Sequence, residues 1–587
     1  MTQAAPSNAR QSKPQVEINP TVGSGLLYPI LTASAIYFIT VIVGVWAAPD
    51  RSAAFNRLML FMLGFVVAGG IVWGARTRVE TALGSIGLFF GFLAVLLTFH
   101  FLVTTNWAES GAVRLPLFGQ IGLWIHNNTR TWSEMQNLQK NITGGILVIL
   151  FPLTLTGSVW AWSRRYLVIF SISIVMLCLM LFGLIMSVSR GAWLGFAFAI
   201  VFAPYFYWRF EPGNRSIFKW IGDFLAVATV GLLIYGFYLV ITVPQYSDYM
   251  NAAFNTSKIS RIDLWRDSLS LIQDYWYTGS GLGSTDMVYS SYVFSLHVPF
   301  LTHAHNLFMQ IAIEQGVPGL IAFVSVTIFT ILSLIDTARH GDQTVRFYSA
   351  CVLASIVAML IHGIVESNLY AYQLVPVMFL PFGFALALLL SRYGTSRIEP
   401  ASVRDKVVIQ RVAVFGTLFP SVVIGLLFIW PGSMATLQAN LGAVAQTRAE
   451  LAVYVWPEWP LQDELRRMHV VDLSNAIRHY KTALALNPDN VTALRRLGQI
   501  EISMGDYDTA QQHLEAAYRI APHQRATRQM LGELYAISGN TTEAVKLWQP
   551  LDVGQQQLDI RYWWYAHIEA DEQATLIKQA VTQFENQ

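Results

Sequence analysis

Two histidines, His303 and His305, stand two positions apart in Thr302-His-Ala-His-Asn306, where a long polar stretch runs into an apolar helix. A Gly316-Val-Pro-Gly319 breaker follows about three turns on. Imidazole titrates nearest neutral pH, and keeping one at a membrane–water boundary is costly without a purpose, so it suits a base acting on a lipid-borne substrate. Arg190, in Ser187-Val-Ser-Arg-Gly-Ala-Trp193, falls in a short turn between two apolar runs. It sits at the start of the next helix, where the dipole disfavours a cation. A phosphate would relieve that conflict, because the guanidinium fork and the helix N-terminal amides both attract it; the bland alternative is an arginine snorkelling to headgroups. Arg261, in Ser260-Arg-Ile-Asp-Leu-Trp265, shares a helix face with Trp265 at i, i+4. Arg266 lies on another face, within reach of Asp263. Asn137, Asn141, His362 and Glu366 are further polar groups at membrane depth, for which a hydrogen bond between helices is at least as good a reading as chemistry.

No Asp-x-Asp or His-Glu-x-x-His occurs, and the carboxylates of 244–303 are scattered. Two histidines with no acidic neighbour in sequence make a poor zinc site, so no metal is expected and arginine must neutralise any phosphorylated substrate. The Gly279-Ser-Gly-Leu-Gly283 run has no preceding strand and no Gly-Lys-Ser/Thr after it. A nucleotide site is therefore rejected, and no cofactor is expected. The aromatic residues of 275–294 suit sugar stacking or an interfacial belt equally well.

Positioning such residues falls to helices solvated by lipid. Only 13% of the chain is charged, against about 25% in a soluble protein. The net charge of +2 is too small, and the basic residues too dispersed, for nucleic acid. Cys178 and Cys351 lie inside apolar runs and form neither a disulfide framework nor a metal set. About eleven spans are expected, near 25–47, 55–75, 82–104, 142–162, 166–187, 191–208, 222–243, 305–335, 346–366, 372–391 and 410–430. Residues 1–22 read as a disordered cytoplasmic tail, and loops between spans are richer in Lys and Arg on the same side (Arg76, Arg78, Arg164, Arg165, Arg209, Arg339, Arg346, Arg392). This orientation puts loops 105–141 and 244–303, with the histidine pair, on the extracytoplasmic face of a multi-pass membrane domain, 23–432. An odd span count puts 433–587 there too.

Within that tail a period of 34 recurs: Ala483 with Ala517, Pro488 with Pro522, Leu497-Gly498 with Leu531-Gly532, Gly505 with Gly539. This is the tetratricopeptide signature, an α-helical array presenting a concave face to partners, so a protein partner is expected at the tail. The whole chain is thus expected to be all-α, a polytopic helix bundle followed by a small helical domain.

The chain resembles the bacterial O-antigen ligase family of membrane glycosyltransferases, which also includes O-antigen polymerases. The resemblance rests on Ser189-Arg-Gly-Ala-Trp-Leu-Gly195, Arg261 followed by Trp265, and His305-Asn306 with nine residues before Gly316 and then Gly319. It covers about 140–390. The family's donor is a glycan on undecaprenyl diphosphate, and the resemblance implies an essential base at His305 with phosphate-binding arginines at Arg190 and Arg261. His303, Asn306 and Glu366 would support or orient, with Trp265, Arg266 and Asn141 as further substrate contacts. Leu320-Ile321 after the last glycine departs from the strict lipopolysaccharide ligases. A polymer end, a lipid or a protein is therefore open as acceptor, within the bacterial inner membrane. A transporter or assembly scaffold is the reading from another class, but no internally repeated halves are visible.

Overall fold

The computed structural model describes residues 25–107, 116–129, 137–211, 218–243, 261–294, 302–371, 373–395, 403–454, 461–551 and 555–586. The 1–22 tail and much of the two long loops lie outside them. The described residues contain no strand.

The first eight helices are α1 (Leu27–Ala47), α2 (Arg51–Gly74), α3 (Val79–Thr104), α4 (Pro116–Asn128), α5 (Lys140–Ser163), α6 (Leu167–Met186), α7 (Arg190–Arg209) and α8 (Phe218–Thr242). Two helices between spans follow, α9 (Arg261–Asp274) and α10 (Thr285–Phe294). The bundle closes with α11 (Leu307–His340), α12 (Gln343–Val365), the single turn α13 (Asn368–Ala371), α14 (Val375–Thr395) and α15 (Val403–Ile429). Among the described residues, ten helices are long and apolar enough to cross a membrane, or eleven when α15 is joined to the helix after it across a 91° bend. That agrees with the count read from hydropathy. α4 was not foreseen: a 13-residue helix inside a stretch read as loop, its Gly122 against the ring of Trp107.

α5 and α12 form the centre of the bundle, with 83% and 78% of their most apolar windows buried, whereas α8 has none buried. Large side chains such as Phe224, Val227 and Leu232 on α8 point away from protein, as lipid-facing residues do.

The tail begins with α16 (Ser433–Ala452) and α17 (Gln462–Arg467). The helices α18 (Ser474–Leu486), α19 (Val491–Met504), α20 (Tyr507–Ile520), α21 (Arg525–Ile537) and α22 (Thr541–Trp548) carry the repeats, and α23 (Gln555–His567) and α24 (Asp571–Glu585) end the chain. The 34-residue period is real: α19 and α21 start 34 residues apart, Leu497 and Leu531 are both buried, and Gly505 and Gly539 both close their helices with left-handed backbone.

Tail and bundle share a core. One apolar cluster runs from Leu264, Trp265 and Leu271 of α9 through Met309 and Ile313 of α11 to Val444, Ile502 and Met530 of the tail. Asp274, fully buried at the end of α9, is held by Arg495 and by Arg496 (2.9 Å), and accepts a hydrogen bond from Thr492 (2.8 Å). Burial alone would raise this carboxyl, but the two guanidiniums hold it below its ordinary 3.8.

The Gly316 breaker does not end α11; it kinks it, with Gly316 at φ 73°, ψ 177°. The segment after α9 enters the gap. Val317 N–H donates to Trp276 O (2.8 Å) instead of back along its helix, and Ser280 N–H takes the freed Ile313 O (2.7 Å). Such backbone is essentially restricted to glycine, and a Cβ here would lie 2.8 Å from the Tyr277 carbonyl.

Gly316→Ala is therefore expected to destabilise the folded chain by at least about 1–2 kcal/mol, seen as a lower melting temperature in detergent. A carboxyl depressed on folding stabilises above its unfolded pKa and loses that contribution only as pH falls through the folded value. Buried Asp267 on the same helix is pushed up to about 6 by burial, so the folded state takes up its proton first and α9 gains protection as pH falls from 7 to 5. Hydrogen-exchange protection of α9, corrected for intrinsic rate, should therefore rise over that range and fall only below 3.8, where Asp274 is neutralised.

Candidate functional site

The site forms where helix ends meet. α12 stops at Val365, α5 starts at Lys140, α7 at Arg190 and α11 at Leu307, and the next residue after α12, Glu366, lies among them with only 2% of its side chain exposed. His303 Nε2 is 2.8 Å from Glu366 Oε1. His305 Nδ1 is 3.2 and 3.3 Å from the two carboxylate oxygens. Asn141 Nδ2 donates to Oε2 (2.6 Å) and Ser367 N–H to Oε1 (3.0 Å). The two imidazoles lie against each other, ring centroids 4.1 Å apart.

Local geometry holds the histidines there. The Asn306 side chain caps α11, accepting from Phe308 N–H and Met309 N–H (both 3.0 Å), and its amide donates to Ile364 O (2.9 Å). Asn306 thus fixes the start of α11 against the end of α12. His305 has φ +50°, a conformation uncommon outside glycine that the surrounding contacts must enforce. Between the histidines, Ala304 N–H donates to Gln310 Oε1 (2.7 Å), and Gln310 Nε2 in turn donates to buried Glu314 (2.8 Å).

Burial lowers the pKa of His303, more than its hydrogen bond to Glu366 raises it, so this ring stays neutral near pH 7. Neutral His303 donates from Nε2 to Glu366 and accepts from Thr302 at Nδ1 (2.7 Å). For Glu366, burial raises the pKa, but the hydrogen bonds from His303 and His305 outweigh it and hold the carboxyl well below 4.5. An ionised carboxylate at His305 Nδ1 puts the proton on that nitrogen in the neutral ring and leaves the lone pair on Nε2. The ring is 24% exposed, the one imidazole of the pair open to an incoming group.

Arg261, at the first turn of α9, donates to Val365 O (2.9 Å), the residue before Glu366. Its pKa is lowered by burial, opposed by the charge of Glu366 and reinforced by that of Arg190. Both arginines therefore act on one region, beside the carboxylate. Arg190 is the exposed first residue of α7. Its neighbour Gly191 packs so closely on Val365 and His362 that a Cβ would come within 2.5 Å of the valine. Val188, two residues before, has φ +48°, which strains a β-branched residue.

Among the residues expected at the site, His303, His305, Asn306, Glu366, Asn141 and Arg261 are brought together by hydrogen bonds, and Arg190 joins them electrostatically. Trp265 is not: its ring is buried against Phe237, centroids 5.3 Å apart. Arg266 lies 3.5 Å from Asp263, as its spacing suggested. The expectation that the histidines lack an acidic partner is overturned, since Glu366 supplies one from 61 residues away. His303, His305 and Glu366 place their donor atoms within 4.8 Å of one another, a set able to take a cation. The 2.8 Å contact is a hydrogen bond, shorter than the roughly 3.3 Å that separates donors on a tetrahedral ion. His362, reachable in sequence only as an intramembrane titratable group, is buried against Gly145 and Gly191 next to the cluster.

Residues 175–324, which include Arg190, Arg261 and His303 to Asn306, match the O-antigen ligase family. Residues 479–512 and 501–566 match tetratricopeptide repeats. The chain is 26% identical over 300 residues to the general O-oligosaccharyltransferase of Acinetobacter baylyi. That match takes in 49% of this chain and spans about half, 48%, of the relative. The chain is thus a membrane protein with an O-antigen ligase-type region, a glycan-transfer kinship and a repeat-bearing tail.

Removing the shared acceptor tests the cluster. Glu366→Ala strands two ring nitrogens, an amide and a backbone N–H, at about 1–3 kcal/mol for each buried orphan. Glu366→Gln keeps one acceptor oxygen, so thermal melts should rank wild type, then Gln, then Ala.

Proposed function

We propose that this chain transfers a glycan from undecaprenyl diphosphate to an acceptor hydroxyl on the extracytoplasmic face of the bacterial inner membrane, with inversion and without a metal. The observation that carries the reading is the Glu366–His305 pair beside two arginines. His305 Nε2 takes the acceptor proton as its oxygen bonds to the anomeric carbon. The bond from that carbon to the diphosphate breaks, and undecaprenyl diphosphate leaves with the electron pair. Arg190 and Arg261 stabilise the charge gathering on the phosphates, where fixed cations in a low-dielectric site act strongly. Glu366 fixes the ring and stabilises the imidazolium that forms, and His303, Asn306 and Asn141 hold Glu366 and the loop. Direct attack inverts the anomeric centre. Trp265 and Arg266 serve as support for α9 at the edge of the donor site.

Transfer of an oligosaccharyl group to a hydroxyl oxygen, as in a protein O-oligosaccharyltransferase, fits best, because the relative is named for O-oligosaccharyl transfer. The repeat-unit polymerase is the second reading; the departure at Leu320-Ile321 leans away from a strict lipopolysaccharide ligase without choosing between the two.

Purified protein given lipid-linked oligosaccharide and acceptor should release undecaprenyl diphosphate. His305→Ala should lower turnover by about 10²–10⁴-fold, the range of a positioned general base, and Arg190→Ala or Arg261→Ala should abolish transfer while the protein stays folded in the membrane. EDTA should leave the rate unchanged. Full activity in the arginine variants sinks the diphosphate clamp, and loss in EDTA restored by zinc would make His303, His305 and Glu366 a metal centre.

A further inference from the structure

Tetratricopeptide arrays usually offer their inner helices to a partner, but here the chain's own segment already lies against them. Thr492, Arg495 and Arg496 of α19 turn their polar atoms onto Asp274. The Arg495 guanidinium also lies over the ring of Tyr292 in α10 (5.3 Å), and Arg496 Nη2 donates to the Tyr275 hydroxyl (3.0 Å), which pairs with Thr447 of α16 (2.5 Å). Asn440 of α16 binds the next residues by their backbone, its Oδ1 accepting from Tyr277 N–H (2.9 Å) and Thr278 N–H (3.1 Å) and its amide donating to Thr278 Oγ1 (2.8 Å).

That gripped segment leads in two directions to the site. Upstream, α9 is a rod of 14 residues, about 20 Å long at 1.5 Å per residue, with Asp274 at one end and Arg261 at the other. Downstream, residues 276–280 fill the break in α11, whose first turn carries the His305–Asn306 cap. We propose that the tail is a positioning part of the transfer site, and that Asp274, held by Arg495 and Arg496, is a positioning residue that sets where Arg261 meets the lipid diphosphate. Any protein partner then binds outside the surface that holds α9 and α10. The inference rests on the donor role of Arg261 proposed above.

The test uses full-length protein in detergent with Asp274→Asn, which keeps the size of the side chain and removes its charge. Exchange of α9 amides should accelerate while α12 and α14 are unaltered. The KM for lipid-linked donor should rise by about tenfold or more, the scale on which slight misplacement is felt, with the acceptor KM unchanged. Added to Arg261→Lys, which keeps the positive charge and is expected to retain part of the activity, Asp274→Asn should cost less than it does alone, since groups acting through one another are not additive. Unchanged exchange in α9, an unchanged donor KM, or losses that simply multiply would overturn the proposal. If Asp274→Asn does not accumulate, Thr492→Val, which removes one hydrogen bond to the same carboxylate, goes through the same series with smaller expected shifts. If Arg261→Ala transfers glycan like wild type, the donor reading fails by itself, and the exchange arm still decides whether the tail fixes α9.

Discussion

A single buried carboxylate organises this protein. Glu366 collects a hydrogen bond from each of two imidazoles, one from the Asn141 amide and one from the backbone of Ser367. Four helices end around it, and its partners come from three stretches of the chain: the His303–His305 loop, the start of α5 at Asn141, and its own neighbour Ser367. A charge at membrane depth is tolerable only when it is paired and fully hydrogen-bonded. Glu366 meets both conditions, and its hydrogen bonds tie the start of α5 and the loop before α11 to the end of α12. The close helix crossings serve the same end: Gly191 and Gly145 let α7 and α5 approach the last turn of α12, as small residues do where bundles pack without a hydrophobic drive.

Of the five non-glycine residues with positive φ among the described residues, two fall at this site. His305 and Val188 both hold positive φ, one in the loop that carries the open imidazole and the other two residues before Arg190. Backbone strain of this kind persists only where neighbouring contacts over-determine it. The Asn306 cap and the Ala304–Gln310 hydrogen bond provide that constraint on one side. Geometry at these positions is therefore a product of the whole helix-end cluster and not of the local sequence.

Much of this was legible in the residues alone. Spans showed as apolar runs, the repeats showed as a 34-residue period, and the chemistry-bearing side chains showed as violations of membrane and helix-dipole rules at Arg190 and at the His303–His305 pair. Glu366 was visible as an acidic group at membrane depth, but its pairing with both histidines was not, because 61 residues separate it from His305 and no local rule joins them. α4 escaped because its glycines and flanking polar residues mask a helix in a stretch too short to span. The contacts of Asp274 were out of reach for a different reason: its partners lie 221 and 222 positions away, and a lone aspartate near a helix end reads as solvated. The i, i+4 spacing placed Trp265 on the face of Arg261, where it packs in the apolar seam against Phe237; its expected contact with substrate had no such basis in spacing.

The knitting of residues 276–280 into the kink of α11, together with the grip of Asn440 and Arg496 on the same segment, has a bearing on biosynthesis. The spans and both histidines leave the ribosome long before the repeats that complete their surroundings. A nascent or prematurely terminated product that lacks α19 has a bare Asp274 carboxylate beside an unfinished apolar seam. The surroundings of this segment are thus finished only once α16 and α19 have been made and have closed on it.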